Sequence, residues 1–307
     1  MLGYGQVEVS RPAIPPRRPT PHLSRGPVRA LLGVLFYVAI VFTFGFMLLP
    51  IVSIFVHVPI DRLVDQLSNR VVTDALVISL KTVLISQVVI LLLGTPAAYF
   101  LASRRFHGRT LAVSLVELPI VLPPAVAGIG LFFAFGRYGL LGGTFSTLGI
   151  DVSFNQAAVV LAITLVAGPF YVRQGIAAFE AVDTDLVAAS RTLGAGTART
   201  FFRVTLPLAR GGLVAGEALC LARGLGEFGA TIMFAGSLPG RTETLPLAVY
   251  TSFESGTAGG INAALAISAL LVILSLAILL SIKLIAILQP STVFFGVAAG
   301  PTRIETQ

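Results

Sequence analysis

Charged residues are scarce in this chain of 307 residues: 11% are charged, whereas 55% are hydrophobic. Soluble domains carry about 25% charged residues, so a water-soluble core cannot hold most of these apolar side chains. The single cysteine, Cys220, excludes an intrachain disulfide and a cysteine metal cluster. The histidines lie in three separate polar segments, so no shared metal site is expected: His22, His57 and His107. Lipid is therefore the expected solvent for most of the chain.

Six apolar runs are each long enough to cross about 30 Å of hydrocarbon, which requires about 20 helical residues. Because backbone groups in lipid must bond to one another, the runs are predicted to be helices. The predicted spans are 30–56, 76–103, 111–135, 157–180, 212–235 and 261–288. The sequence thus predicts an all-α membrane protein with six transmembrane helices.

The segments outside these spans are predicted to be tails. Residues 1–29 are rich in proline and arginine and are expected to form a disordered basic tail, and residues 289–307 form a second tail. The alternative for the first segment is a cleaved signal peptide. It is disfavoured because the apolar run that follows is too long and has no clear small-residue cleavage site.

Arginine placement predicts the orientation of the spans. With the N-terminus inside, the inner segments hold 13 arginines, whereas the outer loops hold four arginines and six acidic residues. Since basic residues favour the cytoplasmic side, both termini are predicted to be cytoplasmic. The net charge of +7 does not indicate a nucleic-acid partner. A nucleic-acid binder clusters its basic residues on one polar face, whereas here they lie mainly in the segments between the spans.

Prolines and glycines are predicted to interrupt three of the spans: at Gly94–Pro96 in the second, at Pro119 and Pro123–Pro124 in the third, and at Gly168–Pro169 in the fourth. A proline removes a backbone donor and kinks its helix. Kinks for packing explain most such prolines, but three interrupted helices in one small bundle favour a bundle around a pathway.

The loop between the fourth and fifth spans, 184–207, is predicted to contain two short helices joined at a glycine elbow. Side-chain oxygens of Asp183–Asp185 are suited to cap the first helix, which ends at Gly194–Gly196. The second helix is expected to stop at Pro207.

Two phenylalanines in this loop lie between arginines. Phe201 and Phe202, flanked by Arg199 and Arg203, are expected to be exposed and to need cover by a partner.

In the same loop the small residues Ala188–Ala189–Ser190 are followed by Gly194. Nine residues then separate Gly194 from the apolar Val204, and one further residue separates Val204 from Leu206–Pro207. In this spacing it resembles the coupling loop of permeases in binding-protein-dependent ATP-binding-cassette (ABC) importers. The leading glutamate of the family pattern is absent, and Val187 and Ala188 lie there instead.

The resemblance covers roughly residues 30–288 and is strongest to molybdate permease subunits, with sulfate/thiosulfate permeases next. Three further stretches support the resemblance: Leu118–Pro124, Arg191–Gly196 and Gly226–Ala230. The last of them resembles the oxyanion permeases as a group. The stretch Thr231–Thr242 resembles the molybdate permeases in particular.

The resemblance implies a MetI-like ABC-importer permease in a bacterial-type plasma membrane. It implies a homodimer, two ABC ATPase subunits on the cytoplasmic side and an extracytoplasmic oxyanion-binding protein. ATP and magnesium would be bound by the ATPase subunits, and no cofactor by this chain. The cargo implied is a tetrahedral oxyanion, molybdate first, with tungstate or sulfate/thiosulfate as alternatives. The residues implied to contact the ATPase are Ala188, Ala189, Ser190, Arg191, Gly194, Gly196, Arg199, Phe201, Phe202, Arg203, Val204, Leu206 and Pro207.

The chain has no phosphate-binding loop of the form G-x-x-x-x-G-K-[ST], so it is not expected to hydrolyse ATP itself. Two other classes of membrane protein are the alternatives. A secondary anion transporter would show an internal repeat and would need no docking loop. An intramembrane enzyme would need a catalytic set of residues within the spans, and none is found.

Ionisable residues within the spans are candidate sites because they are costly at bilayer depth. Glu117 and Arg173 lie at similar depth from the inner side and are predicted to pair, with Glu217 as a competing partner. Lys81 also lies in a span, and Lys283 is near an inner end, where it can extend to the interface.

Arg223 and Glu227 are four residues apart in the fifth span, a spacing suited to an ion pair. One interpretation is a pair that stabilises the core, and the other is a gate or pathway for the anion. Gly229 and Thr231 are candidates for the lining of that pathway. No metal site is expected.

Overall fold

The computed structural model describes residues 26–58, 69–149 and 152–288, and these contain helices, turns and no strands. Both predicted tails lie largely or wholly outside the described residues, as does most of the first predicted outer loop. By contact the chain divides into two units, residues 1–52 and 53–307.

Twelve helices are found in the described residues. They are α1 Gly26–His57, α2 Arg70–Ser103, α3 Arg109–Val121, α4 Pro124–Phe135, α5 Gly142–Thr147, α6 Gln156–Glu180, α7 Thr184–Thr192, α8 Thr197–Thr200, α9 Leu206–Leu225, α10 Gly229–Phe234, α11 Leu245–Glu254 and α12 Ala258–Leu288. A single π-helical turn, Phe201–Thr205, joins α8 to α9.

In the described part of the chain, five helical stretches are long and apolar enough to span a membrane, and α3 with α4 makes a sixth if that bent pair counts as one span. The all-α class is therefore confirmed. The third span is not one straight helix, since α3 and α4 meet at an angle of 112°.

Helix α1 is apolar on all sides. Its segment Leu31–His57 has a mean hydropathy of 2.5 and no buried residue. A helix of this length without a polar face is suited to lipid rather than to water.

In the second unit α6 is the central helix. It packs against α2, α9, α3, α4 and α10, and its small residues allow close approach. A Cβ added at Gly175 would lie 2.9 Å from the Ala98 Cβ of α2, and one at Gly216 of α9 would lie 2.9 Å from the Gln174 Cβ of α6. Small residues at such contacts are typical of helix packing in membranes. A second, smaller apolar cluster joins α11 and α12 to the start of α2.

Asparagine caps fix the beginnings of the two long buried helices. The Asn69 side chain accepts a hydrogen bond from the Val71 N–H at 3.0 Å, and the Asn155 side chain accepts one from the Ala157 N–H at 2.8 Å. Each satisfies a backbone donor that has no partner inside its helix.

Two of the three predicted interruptions are wrong. Helix α2 continues through Pro96, and α6 continues through Pro169. A single proline removes one backbone hydrogen bond, and the turns on both sides hold the helix together.

In the third span the predicted interruption at Pro119 is wrong, because α3 continues through it to Val121, whereas the one at Pro123–Pro124 is confirmed. The residue before a proline avoids the helical region, and here two in succession do so: Leu122 has φ −65° and ψ 135°, and Pro123 has φ −54° and ψ 130°. Consecutive prolines therefore end one helix and begin the next.

The predicted fifth span, 212–235, is also wrong in its bounds. The helical stretch starts earlier, at Thr197, and ends at Leu225, with a separate short helix from Gly229. Glycines at 224, 226 and 229 explain the early end, because glycine is a poor helix former.

Candidate functional site

The elbow, which we define as residues 184–207, is built by a capped helix and a left-handed glycine. The Asp183 carboxylate accepts a hydrogen bond from the Asp185 N–H at 2.8 Å and caps α7, as predicted. Gly194 follows α7 with φ +82°, a conformation that glycine adopts without strain. The chain reverses there, and the Ser190 and Thr200 hydroxyl oxygens lie 2.9 Å apart across the two sides.

Most of the elbow's predicted contact residues are exposed. The exposed members are Ala188, Ala189, Arg191, Gly194, Gly196, Arg199, Phe202, Arg203 and Pro207. Ser190, Val204 and Leu206 are half-buried. Leu193, which joins the two sides, is 88% exposed. Leu193 thus adds an apolar side chain to the exposed surface of the elbow.

The two phenylalanines behave differently, so half of that prediction is wrong. The Phe201 ring packs inside this chain, with ring centroids 4.7 Å from Tyr99 and 6.1 Å from Phe179. Phe202 is 65% exposed, as predicted. Phe201 therefore fastens the elbow to α2 and α6, and Phe202 alone is left for a partner.

Pro207 does not stop the second elbow helix, contrary to the prediction. The π-helical turn shifts the bonding pattern, so that the Leu206 N–H donates to the Phe201 carbonyl five residues back. Proline normally clashes with the carbonyl four residues before it, and this one-residue shift allows the helix to continue into α9.

Sequence reasoning missed a contact that joins the end of α6, just before the elbow, to the segment between α2 and α3. Arg109, at the start of α3, pairs with Glu180, at the end of α6, and its Nε donates to the Leu101 carbonyl at 2.7 Å. Both residues lie at predicted span ends, where opposite charges were a usable signal.

The predicted pair between Glu117 and Arg173 is present. Arg173 Nε lies 3.4 Å from Glu117 Oε1, and the side chains are 68% and 35% exposed within the chain. Glu217 pairs with neither, and its Oε2 atom is buried without a hydrogen-bond partner in the described residues. Lys81 is exposed, and the Lys283 side chain lies outside what the structure describes.

Arg223 and Glu227 form an ion pair of 2.7 Å, but not along one helix. Glu227 follows the end of α9 and is 2% exposed, and its second oxygen accepts a hydrogen bond from the Ala230 N–H at 2.8 Å. It thus joins the end of α9 to the start of α10. Gly229 and Thr231 lie in α10, where Thr231 is fully buried, and their role as pathway lining stays a prediction.

The break between α9 and α10 packs against the break between α3 and α4. A Cβ added at Gly229 would lie 2.8 Å from the Pro124 Cβ, and one at Gly128 would lie 2.6 Å from the Ala230 carbonyl oxygen. Two interrupted helices therefore meet at backbone contact beside a buried ion pair. Interrupted helices are tolerated in membranes where they are buried in protein or line a cavity.

No group of three or more histidine, cysteine, aspartate or glutamate residues that suits a metal occurs in the part of the chain that the structure describes. The features found in the described residues are an exposed elbow, interrupted helices and a buried carboxylate in an ion pair. Together they suit a membrane passage.

These features define a multi-pass permease, and the sequence comparison gives its family. Residues 90–292, more than half of the chain, match the family described as binding-protein-dependent transport system inner membrane component, so the chain belongs to that family. The resemblance stated above is confirmed, and the protein is the transport component of an ABC importer in the inner membrane.

Particular relatives and a solved structure are similar to this chain. It is 44% identical over 207 residues to the molybdenum transport system permease protein ModB of Mycobacterium bovis, which covers 67% of this chain and 78% of the relative. It is 34% identical over 239 residues to the sulfate transport system permease protein CysW of Synechocystis, covering 76% and 85%. A bacterial alginate ABC transporter in complex with a pentasaccharide-bound periplasmic protein matches with a TM-score of 0.62 at 17% identity, over 85% of this chain and 95% of that chain. This last likeness shows the fold alone.

Proposed function

We propose that this chain forms the transmembrane passage of an ATP-driven importer for a tetrahedral oxyanion, molybdate in the first place. The observation that carries the proposal is the 44% identity with a molybdenum permease over 207 residues. Tungstate has the same charge and shape and is an expected second cargo.

The proposed assembly is a homodimer of this permease with two ABC ATPase subunits at the elbows and an oxyanion-binding protein on the opposite side. The exposed elbow supports the ATPase contact, since Leu193 and Phe202 are apolar and uncovered. Both termini and the elbow are placed in the cytoplasm because arginine predominates there. ATP and magnesium would be held by the ATPase subunits.

The proposed mechanism is alternating access. ATP brings the ATPase subunits together, the elbows follow, and the helices open outward to receive the anion, after which hydrolysis returns them inward. A dianion bound tightly inside the membrane would not leave, so the passage needs weak contacts, and the affinity belongs to the binding protein.

Charge reversal on the elbow tests the coupling part of this mechanism. Arg199→Glu and Arg203→Glu are expected to leave the complex folded but to lower anion uptake per ATP hydrolysed. Both arginines are exposed, so stability is not expected to change beyond a few tenths of a kcal/mol. Normal uptake in both variants contradicts the proposed coupling.

Sulfate is the second candidate cargo, favoured by the 34% identity with a sulfate permease over a longer stretch of 239 residues. The deciding experiment is competitive uptake of molybdate, tungstate and sulfate by the reconstituted complex with its binding protein. We expect molybdate and tungstate to compete with each other and sulfate to compete weakly. Equal or preferred uptake of sulfate reverses the assignment, and uptake without ATP identifies a secondary transporter.

A further inference from the structure

A basic cleft lies between the end of α2 and the elbow. Two cavities of about 660 Å³ and 630 Å³ adjoin there, because both are lined by Tyr99, Ser103 and Arg191. At roughly 30 Å³ per water molecule, each has room for a hydrated group of several atoms. The cleft has one wall on α2 and the other on the elbow.

The charge in this cleft is not balanced. Its lining includes four arginines and one glutamate, a net charge of +3: Arg104, Arg105, Arg109, Arg191 and Glu180. Glu180 is already paired with Arg109. Arg104, Arg105 and Arg191 form no ion pair with any residue that the structure describes. Three arginines without an ion-pair partner in the described residues therefore line the two adjoining cavities: Arg104 lines the first, Arg105 the second and Arg191 both.

The elbow supplies no carboxylate to this wall. Where the ABC permease pattern has a glutamate, Val187 and Ala188 line the cleft instead. The elbow residues that line the cleft therefore contribute the positive charge of Arg191 and no negative charge.

A buried hydroxyl in the same wall also lacks a partner. Thr205 lines the cleft and is 4% exposed, and its Oγ1 atom has no hydrogen-bond partner in the described residues. Elsewhere Thr82 and Ser86 donate to carbonyls four residues back at 2.7 Å, which is the usual solution inside a helix. Thr205 lies in the π-helical turn, where that register is lost, and its hydroxyl oxygen is inaccessible in the structure, so it would reach a ligand only after a rotation of the side chain.

We propose that this cleft binds a tetrahedral oxyanion group, held by Arg104, Arg105 and Arg191. Guanidinium groups bind such anions through paired N–H donors, and Ser103 and Thr197 add hydroxyl donors at the cleft wall. The chemistry is shared by the phosphate of an anionic lipid headgroup and by a free oxyanion. The proposal depends on the proposed function only for the side of the membrane on which the cleft lies.

Binding is tested on the assembled permease–ATPase complex without its binding protein, in two kinds of nanodisc. In phosphatidylcholine discs, equilibrium binding of radiolabelled sulfate reports a free oxyanion. In discs that also contain phosphatidylglycerol, native mass spectrometry reports retained anionic lipid. Because Arg191 and Ala188 also belong to the elbow surface expected to contact the ATPase, the ATPase content of each disc is measured by mass spectrometry and binding is expressed per intact complex.

The test variants are the double variant Arg104→Gln/Arg191→Gln and the single variant Ala188→Glu, which keeps every arginine and adds a carboxylate to the cleft. Each is expected to weaken sulfate binding, or retention of phosphatidylglycerol, at least tenfold. Arg137→Gln is the matched control, because Arg137 is an exposed arginine that does not line the cleft, and it should change neither.

Loss in the sulfate assay alone assigns the cleft to a free oxyanion, and loss in the lipid assay alone assigns it to a headgroup. Wild-type binding of both probes by the folded variants overturns the proposal. If the double variant does not fold, Ala188→Glu decides alone. Neither result depends on anion uptake, so failure here and failure of the proposed transport function are told apart.

Discussion

Two regions of the molecule, the helix bundle centred on α6 and the elbow, contain the same residue types in different structural roles. In the bundle, glycines lie where a side chain would collide with a neighbouring helix, as Gly212 does against Ala178. In the elbow, a Cβ added at Gly194 or Gly196 would have no heavy atom within 4 Å. Glycine is favoured at position 194 by its backbone conformation, a φ of +82°, and not by a close neighbour. Likewise Phe201 packs inside the chain, whereas its neighbour Phe202 is exposed.

This difference separates what folds the protein from what operates it. Substitutions in the bundle disturb packing contacts within the chain, so they should lower stability first. Substitutions in the elbow disturb few such contacts, so they should affect coupling to a partner while the bundle stays folded.

The largest effect is expected for Arg223→Ala. It leaves the carboxylate of Glu227, whose side chain is 1% exposed, without its charged partner. Breaking one side of a buried ion pair costs about 3–5 kcal/mol, so thermal unfolding of the purified complex should shift strongly downward. The double variant Arg223→Ala/Glu227→Gln should recover part of the loss. A complex that assembles with wild-type stability but does not take up the anion indicates a gate instead.

Gly212→Val is expected to come next. The new Cβ would lie 2.5 Å from the Ala178 Cβ on α6, so α9 and α6 must separate. Overpacking of this kind costs about 1–3 kcal/mol, and the yield of monodisperse protein and its unfolding temperature should both fall. Gly196→Val is the matched control, since Gly196 has open space and a φ of −67°. Equal losses in both variants contradict the distinction between bundle and elbow.

Gly194→Val should have a smaller effect on stability and a large one on coupling. A left-handed conformation costs about 1–2 kcal/mol for a residue with a Cβ, and the elbow should rearrange to avoid it. We expect ATP hydrolysis to continue while anion uptake falls, measured on the reconstituted complex. Gly194→Asn should be tolerated better, because asparagine adopts this conformation more readily. Retention of normal uptake by the valine variant argues against a coupling role.

The smallest effect is expected for Arg173→Gln. Its pair with Glu117 is 3.4 Å long and the arginine side chain is 68% exposed. Partly exposed ion pairs of this kind contribute about 0.2–1 kcal/mol, so the unfolding temperature should change by little. A loss as large as that of Arg223→Ala shows that another subunit covers this pair.

The sequence predicted those features that depend on composition and on short-range rules. Apolar runs located the spans, and Asp183 and Gly194 located the ends of the first elbow helix. Spacing alone found the Arg223–Glu227 pair, although Glu227 lies beyond the helix end.

Features that depend on neighbours were predicted less well. Helices α2 and α6 continue through Pro96 and Pro169 because each proline removes only one backbone hydrogen bond and the turns on both sides remain helical. The π-helical turn that carries the chain past Pro207 has no simple signal in the sequence. Phe201 was assigned to the surface because Tyr99 and Phe179, its ring partners, are about 100 and 20 residues distant in the chain.

The continuous helical stretch from Thr197 to Leu225 has a mechanical consequence. Its 29 residues extend about 44 Å at 1.5 Å per residue. One end lies in the elbow, and the other ends beside Arg223 and Glu227. A tilt of about 5° applied at the first end moves the second by about 4 Å over that length, which is more than the length of the ion pair located there. A small tilt at the elbow end would therefore displace Arg223 by more than an ion-pair length relative to any neighbouring helix that stays in place, with no hinge required within the stretch.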